Sequence, residues 1–242
     1  MHYSKRKIIA VFLAVVVFGT AFSFFLGTTK SSPVSLRESA CAFENKEASC
    51  IDSSEVWKSG LCYFDSVLAK TGDTVGAVKA LFWNHWNLRF VGQERSGNPD
   101  AIFPRRVLEN GVSSCVGATW LALMLREARN IRLDAILLPG HIFFRIGDTN
   151  VEPNRSGYSY TDAEYRKKYA AGPWTGYEFT PIHKRQFLGI VAFNLGNALL
   201  KTDPEKSLAW YKVANEFFPA YPGIEANRII AIKKLSRSEK KR

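Results

Sequence analysis

Metal-binding side chains are scarce: the 242 residues include four histidines and four cysteines. No CxxC pair and no histidine pair sets them at zinc-ligand spacing, which argues against a structural zinc site. No metal and no cofactor is expected. Acidic residues are also few, with 22 Asp and Glu against 33 Lys and Arg, for a net charge of +11. Such an excess suits polyanionic partners. Here the cations are dispersed, clustering only at Lys5-Arg6-Lys7, Arg166-Lys167-Lys168 and Lys240-Lys241-Arg242. No nucleic-acid-binding motif accompanies them, so nucleic acid is not an expected partner. Apolar residues are not lacking. At 46% hydrophobic and 13% aromatic, the chain has enough for a packed core and is not of disordered composition. Its length suits one enzyme-sized domain with a small appendix.

Charge is absent between Ile8 and Leu26, a run of about 19 apolar or small residues behind a basic start. A spanning helix needs about 20 residues. The exit, Phe24-Phe25-Leu26-Gly27-Thr28-Thr29, lacks a small-x-small cleavage site, and Glu38-Ser39-Ala40 before Cys41 lacks a lipoprotein signal. An uncleaved anchor through residues 8–26 is expected, with signal cleavage and secretion as the alternative. Lys5, Arg6 and Lys7 against Lys30 and Arg37 place the N-terminus in the cytoplasm and the body outside it. In that oxidising setting two of Cys41, Cys50 and Cys62 are expected to pair.

Residues 30–55 read as a linker, rich in Ser, Glu, Lys and Ala without a sustained period. Helices are predicted over 56–70 and 75–88, the second carrying Val78, Leu81, Phe82 and Trp86 at helical spacing. His85 reads as a structural or surface residue. Residues 91–104 form a loop, and a short helix spans 104–109.

The chemistry concentrates in 111–157. Ser113 or Ser114 can cap a helix that starts at Cys115 and runs to Arg129-Asn130, apolar around most of its circumference. A thiol at a helix N-terminus sits in positive potential, which favours thiolate, and the free N–H groups there can receive an oxyanion. Gly117 leaves room where a substrate backbone approaches. Alone, a cysteine is more often a small core residue; its partners decide. A strand over 132–138 breaks at Pro139-Gly140, a second spans 141–146, and Gly147-Asp148 suits a two-residue hairpin turn. Counting from that turn pairs Ile146 with Thr149, Phe143 with Glu152 and His141 with Asn154. Asn154 then faces His141 directly, and Glu152 sits on the diagonal.

The segments NGVSSCVGATWLALMLREA, LPGHIFFRI and VEPNRSG, in that order, resemble the SirB-like branch of the transglutaminase-like superfamily, cysteine-nucleophile proteins with a papain-like fold. The likeness reaches upstream to VKALFWNHWNLRF and DAIFPRRVLENG and covers roughly residues 75–170. It implies Cys115 as nucleophile, His141 as general base and acid, and Glu152 as the acid that orients the imidazole. Family members usually carry Asp where this chain has Glu152, which keeps Asn154 open as orienter. Many SirB-like members lack the cysteine, whereas this chain retains it. Asn110 can add an oxyanion donor, although Asn-Gly suits a turn.

Beyond the site, Thr161 caps a short helix, 171–182 is loop with an edge strand, and His183 reads as a surface cation. Helices over 185–201 and 204–218 place Ser207, Tyr211, Ala214 and Pro219 at tetratricopeptide-repeat spacing. A single repeat makes no peptide groove, so a packing role is expected.

The expected architecture is α+β: a membrane anchor or signal peptide over 1–29, a linker over 30–55, a transglutaminase-like domain over 56–184 with its nucleophile helix on a small antiparallel sheet, repeat-like helices over 185–235, and a basic tail over 236–242. The expected function is a membrane-anchored, extracytoplasmic cysteine hydrolase or acyltransferase acting on a protein or peptide substrate. The alternative is an inactive binding or scaffold protein of the cell envelope.

Overall fold

The computed structural model describes residues 35–239. Ser35 starts the first helix with a capping box: its Oγ accepts from Glu38 N–H (3.0 Å), and Glu38 accepts from the Ser35 N–H (2.7 Å). This helix, α1 (Leu36–Phe43), buries Leu36, Ala40 and Cys41. A Cys41–Cys50 disulfide folds the following turn back onto it, and Ile51 is buried too. The Trp120 indole donates to the Leu36 carbonyl at 3.2 Å. Residues 36–51 are therefore part of the core, not the expected linker. Cys62 is left free and exposed. Replacing Cys41 and Cys50 by serine together is expected to lower stability by about 2–4 kcal/mol, read from urea unfolding, by releasing the closed loop in the unfolded chain.

Helix α2 (Glu55–Thr71) ends at Gly72, which takes a left-handed φ of 65°. Helix α3 (Thr74–Lys79) continues as a π-helical turn, Ala80–His85. A plain α-helix was predicted there. The wider turn still buries Leu81 and Phe82, and Trp86 stacks on Trp57 at 5.8 Å. The predicted loop after it contains a short helix, α4 (Pro99–Ile102), followed by α5 (Pro104–Asn110). Two two-residue strands, β1 (Arg89–Phe90) and β2 (Val112–Ser113), pair in parallel. They lead into α6 (Cys115–Arg129), buried from Val116 to Leu125.

The main sheet is four-stranded, ordered β5-β4-β3-β6, from β3 (Leu133–Leu138), β4 (His141–Ile146), β5 (Thr149–Val151) and β6 (Pro181–Ile182), with antiparallel neighbours. Pro139-Gly140 joins β3 to β4 directly, with Leu138 paired to His141. Gly140 takes the positive φ (67°) that the second corner of a type II turn requires. One sheet face, with Ala135, Leu137, Ile142 and Phe144, belongs to the main core around α6. The other, with Ile136, Leu138 and Phe143, packs on Tyr165 of α7 (Asp162–Lys168).

Helices α8 (Lys184–Leu199), α9 (Pro204–Phe217) and α10 (Pro222–Glu239) complete the chain. Gly196 brings the Tyr211 ring of α9 against α8, and Ser207 Oγ donates to the Gly196 carbonyl at 2.8 Å. Phe187 meets Trp120 edge-on at 5.9 Å, so the helix pair packs on the central helix.

The expectation of a membrane-anchored protein with an extracytoplasmic body is corrected. No helix among the described residues is long and apolar enough to cross a membrane, and the expected span over residues 8–26 lies outside the described residues.

Candidate active site

The Cys115 end of α6 is fixed by Ser114. Its Oγ accepts from the Gly117 N–H (3.2 Å) and donates to the Ala101 carbonyl (3.1 Å), while its N–H donates to that same carbonyl (2.8 Å). Cys115 is half-buried as the first helical residue. The sequence left room at Gly117 for a substrate; the neighbour is instead the chain itself, since a Cβ there would run into the Ala101 carbonyl oxygen. The Cys115 N–H has no partner among the described residues, as expected for the first turn of a helix.

His141 is the first residue of β4, and its side chain is 4% exposed. Its Nε2 lies 2.9 Å from Glu152 Oε2. Glu152, 1% exposed, also accepts from the Tyr165 hydroxyl (3.0 Å, at Oε2) and the Asn154 N–H (2.9 Å, at Oε1). Burial opposes a charge on His141, but the neighbouring Cys115 sulfur, by charge and as hydrogen-bond partner, and then Glu152 push its pKa up to about 9. Burial likewise works to raise Glu152. The hydrogen bond and charge of His141, with the Asn154 N–H and the Tyr165 hydroxyl, overcome it and hold the carboxyl below its usual range.

The structure brings Cys115, His141 and Glu152 together and leaves out the Asn154 side chain. The hairpin register is the counted one from Ile146–Thr149 to Phe144–Val151. The ladder then stops, because Glu152 bridges to Tyr158 and Pro153 opens a 3-10 turn, Pro153–Arg155. Asn154 therefore does not face His141 across the hairpin. Its backbone holds Glu152, and its Oδ1 is buried without a partner. Asn110 is an exposed residue at the end of α5, before a left-handed Gly111. His85 stacks on Tyr63 at 4.4 Å, and His183 heads α8. Among the described residues no group of three or more His, Cys, Asp or Glu could hold a metal ion.

Two residues of this constellation were missed by sequence reasoning, Tyr165 and Tyr169. The Tyr169 ring lies parallel to the His141 ring, with centroids 5.4 Å apart and an interplanar angle of 2°. Burial first, and then the charges of Glu152 and Cys115, raise the pKa of Tyr169; burial and Glu152 raise that of Tyr165. Both phenols stay protonated at neutral pH, so Tyr165 is a donor to the carboxylate. Their spacing, i and i+4, with Tyr165 on α7 and Tyr169 just past its end, was the available signal. Replacing Tyr165 by phenylalanine removes one donor to a buried carboxylate. It is expected to lower stability by about 1.5–3 kcal/mol in chemical denaturation at pH 7.

Chemically, His141 can take the Cys115 proton, Glu152 can hold the resulting imidazolium, and the α6 N-terminus can receive negative charge from a substrate carbonyl. No family model, no curated protein and no solved structure matches the chain.

Proposed function

We propose that the chain is a cysteine hydrolase or acyltransferase that acts on an amide or ester through a Cys115 thioester. On this proposal its core is the papain-like core of the SirB-like branch of the transglutaminase-like superfamily, with a tetratricopeptide-like helix pair behind it. One observation carries the reading: a single buried imidazole, His141, shared between the Cys115 sulfur and the Glu152 carboxylate. A carboxylate that only neutralised a stray histidine would not require a thiol at a helix N-terminus beside it.

The Cys115 thiolate attacks the carbonyl carbon, and the carbonyl oxygen becomes an oxyanion that meets the Cys115 N–H. Collapse of the adduct breaks the bond to the amine or alcohol, which leaves with a proton from the His141 imidazolium. Water, or an acceptor amine, then gives its proton to His141 as it attacks the thioester, and the thiolate departs. Glu152 keeps the ring oriented and its positive charge balanced throughout. A protein or peptide is the expected substrate class.

An activated ester tests this without knowledge of the substrate. With 4-nitrophenyl acetate, a burst of nitrophenolate and an acetyl group on the Cys115 peptide are expected. Cys62, also free, is read separately in the same digest. Acetylation of Cys115 no faster than that of Cys62, and indifferent to His141→Ala, overturns the proposal.

A further inference from the structure

Three exposed cations sit on elements next to the candidate site. Strand β1 pairs Phe90 with Ser113, two residues before Cys115, and packs against the Pro153–Arg155 turn that holds Glu152. It thus sets Arg89 and Arg155, both exposed, on elements that border the site. The Lys168 ammonium lies 4.8 Å from the centre of the Tyr160 ring and 5.7 Å from that of Tyr169, the ring stacked on His141. Among the described residues none of these three cations has a carboxylate partner. Several arginines elsewhere are paired, Arg105 and Arg106 with Glu44, Arg129 with Asp65, and Arg145 with Asp162, while Arg95, Arg132 and Arg166 have no carboxylate partner among the described residues. The Glu152 carboxylate is committed to His141, so the two charges largely cancel toward an approaching ligand.

We propose that the site takes an anionic substrate, a carboxylate-bearing acyl group such as an acidic peptide. Its charge is met by Arg89, Arg155 and Lys168 while its carbonyl meets Cys115. This rests on Cys115 being the nucleophile. Unpaired cations near a site raise the local concentration of an anion and speed its arrival, an effect that salt removes.

Two alkylating reagents of nearly equal shape separate the terms. Iodoacetate carries a carboxylate and iodoacetamide is neutral; each is attacked at its methylene by a thiolate, with iodide leaving. In the full chain, the ratio of iodoacetate to iodoacetamide rates at Cys115 is expected to exceed that at Cys62 by about tenfold at low salt, and to fall as salt is added. In the triple variant Arg89→Gln, Arg155→Gln, Lys168→Gln the Cys115 ratio is expected to drop to near that of Cys62. The three side chains are exposed, and the single variants are expected to move the ratio in the same direction by smaller steps. A Cys115 ratio that the variants leave unchanged overturns the proposal while sparing the nucleophile, because the preference for the anion then does not come from these three cations. Slow alkylation of Cys115 by both reagents, unaffected by His141→Ala, overturns both.

Discussion

Replacing Glu152 by alanine is expected to lower stability by about 3–5 kcal/mol, the cost of removing one partner from a buried ion pair. The substitution strands the His141 ring nitrogen, the Tyr165 hydroxyl and the Asn154 N–H, each now bonded to that carboxylate. It also leaves an imidazolium buried without its counter-charge, so the histidine is expected to lose its proton. The pH dependence of stability carries a matching signature. Glu152 is held below its ordinary value of 4.5, so its contribution is present above that value and is lost as pH falls through the lowered pKa. His141 is raised from 6.5 to about 9, so its contribution is present below 6.5 and is lost as pH rises through about 9. Both are at full strength together only between 4.5 and 6.5. Urea unfolding of the native protein and of Glu152→Ala across pH is the check, with the gap between them widest in that window. Glu152→Gln, which keeps the shape and drops the charge, is expected to fall between the two.

Replacing His141 by alanine is expected to slow acetylation of Cys115 by 4-nitrophenyl acetate by about 100-fold or more, in line with the loss of a positioned general base. The Cys115 thiol then has no acceptor for its proton, and a thiolate formed there has no cation beside it. Pre-steady-state release of nitrophenolate at pH 7, with the modified cysteine located in a digest, measures the effect. Unlike Glu152→Ala, this change removes the charged ring itself and leaves a hydrogen-bonded carboxylate free to take up a proton. Its consequence is therefore expected to be larger on rate than on stability.

Where the chain carries a local signal, sequence and structure agree closely. Ser114 caps α6, β4 runs from His141 to Ile146, and Thr161 forms a capping box with Glu164. Each follows from a side chain acting within four residues of its own position. Long-range partners were less visible. The β1–β2 pair is two residues on each side, too short for a period to register, yet it places Phe90 beside Ser113, two residues before Cys115. Residues 36–51 look like a linker because their composition is polar; Leu36, Ala40, Cys41 and Ile51 are buried through contacts with helices far along the chain.

The candidate site shows the same division. Cys115, His141 and Glu152 could be picked out by type and order, whereas the choice between Glu152 and Asn154 depended on how far the hairpin continues. Pro153 held the answer: a proline gives no ladder hydrogen bond, and the pairing ends before Asn154 can stand opposite His141. Gly117 misled for another reason. Its missing side chain makes room for a neighbouring carbonyl of the same chain, and only the fold says which backbone approaches.

The central claim, that one imidazole is coupled to both the Cys115 sulfur and the Glu152 carboxylate, is tested most directly by the titration of the His141 ring, followed by NMR in the native protein and in Cys115→Ser. The chain has four histidines, so the resonance can be assigned by substitution. A midpoint near 9 in the native protein is expected, falling clearly in the serine variant, because the sulfur is one of the two groups that raise it. A histidine that titrates at the same pH with and without the sulfur would contradict the account.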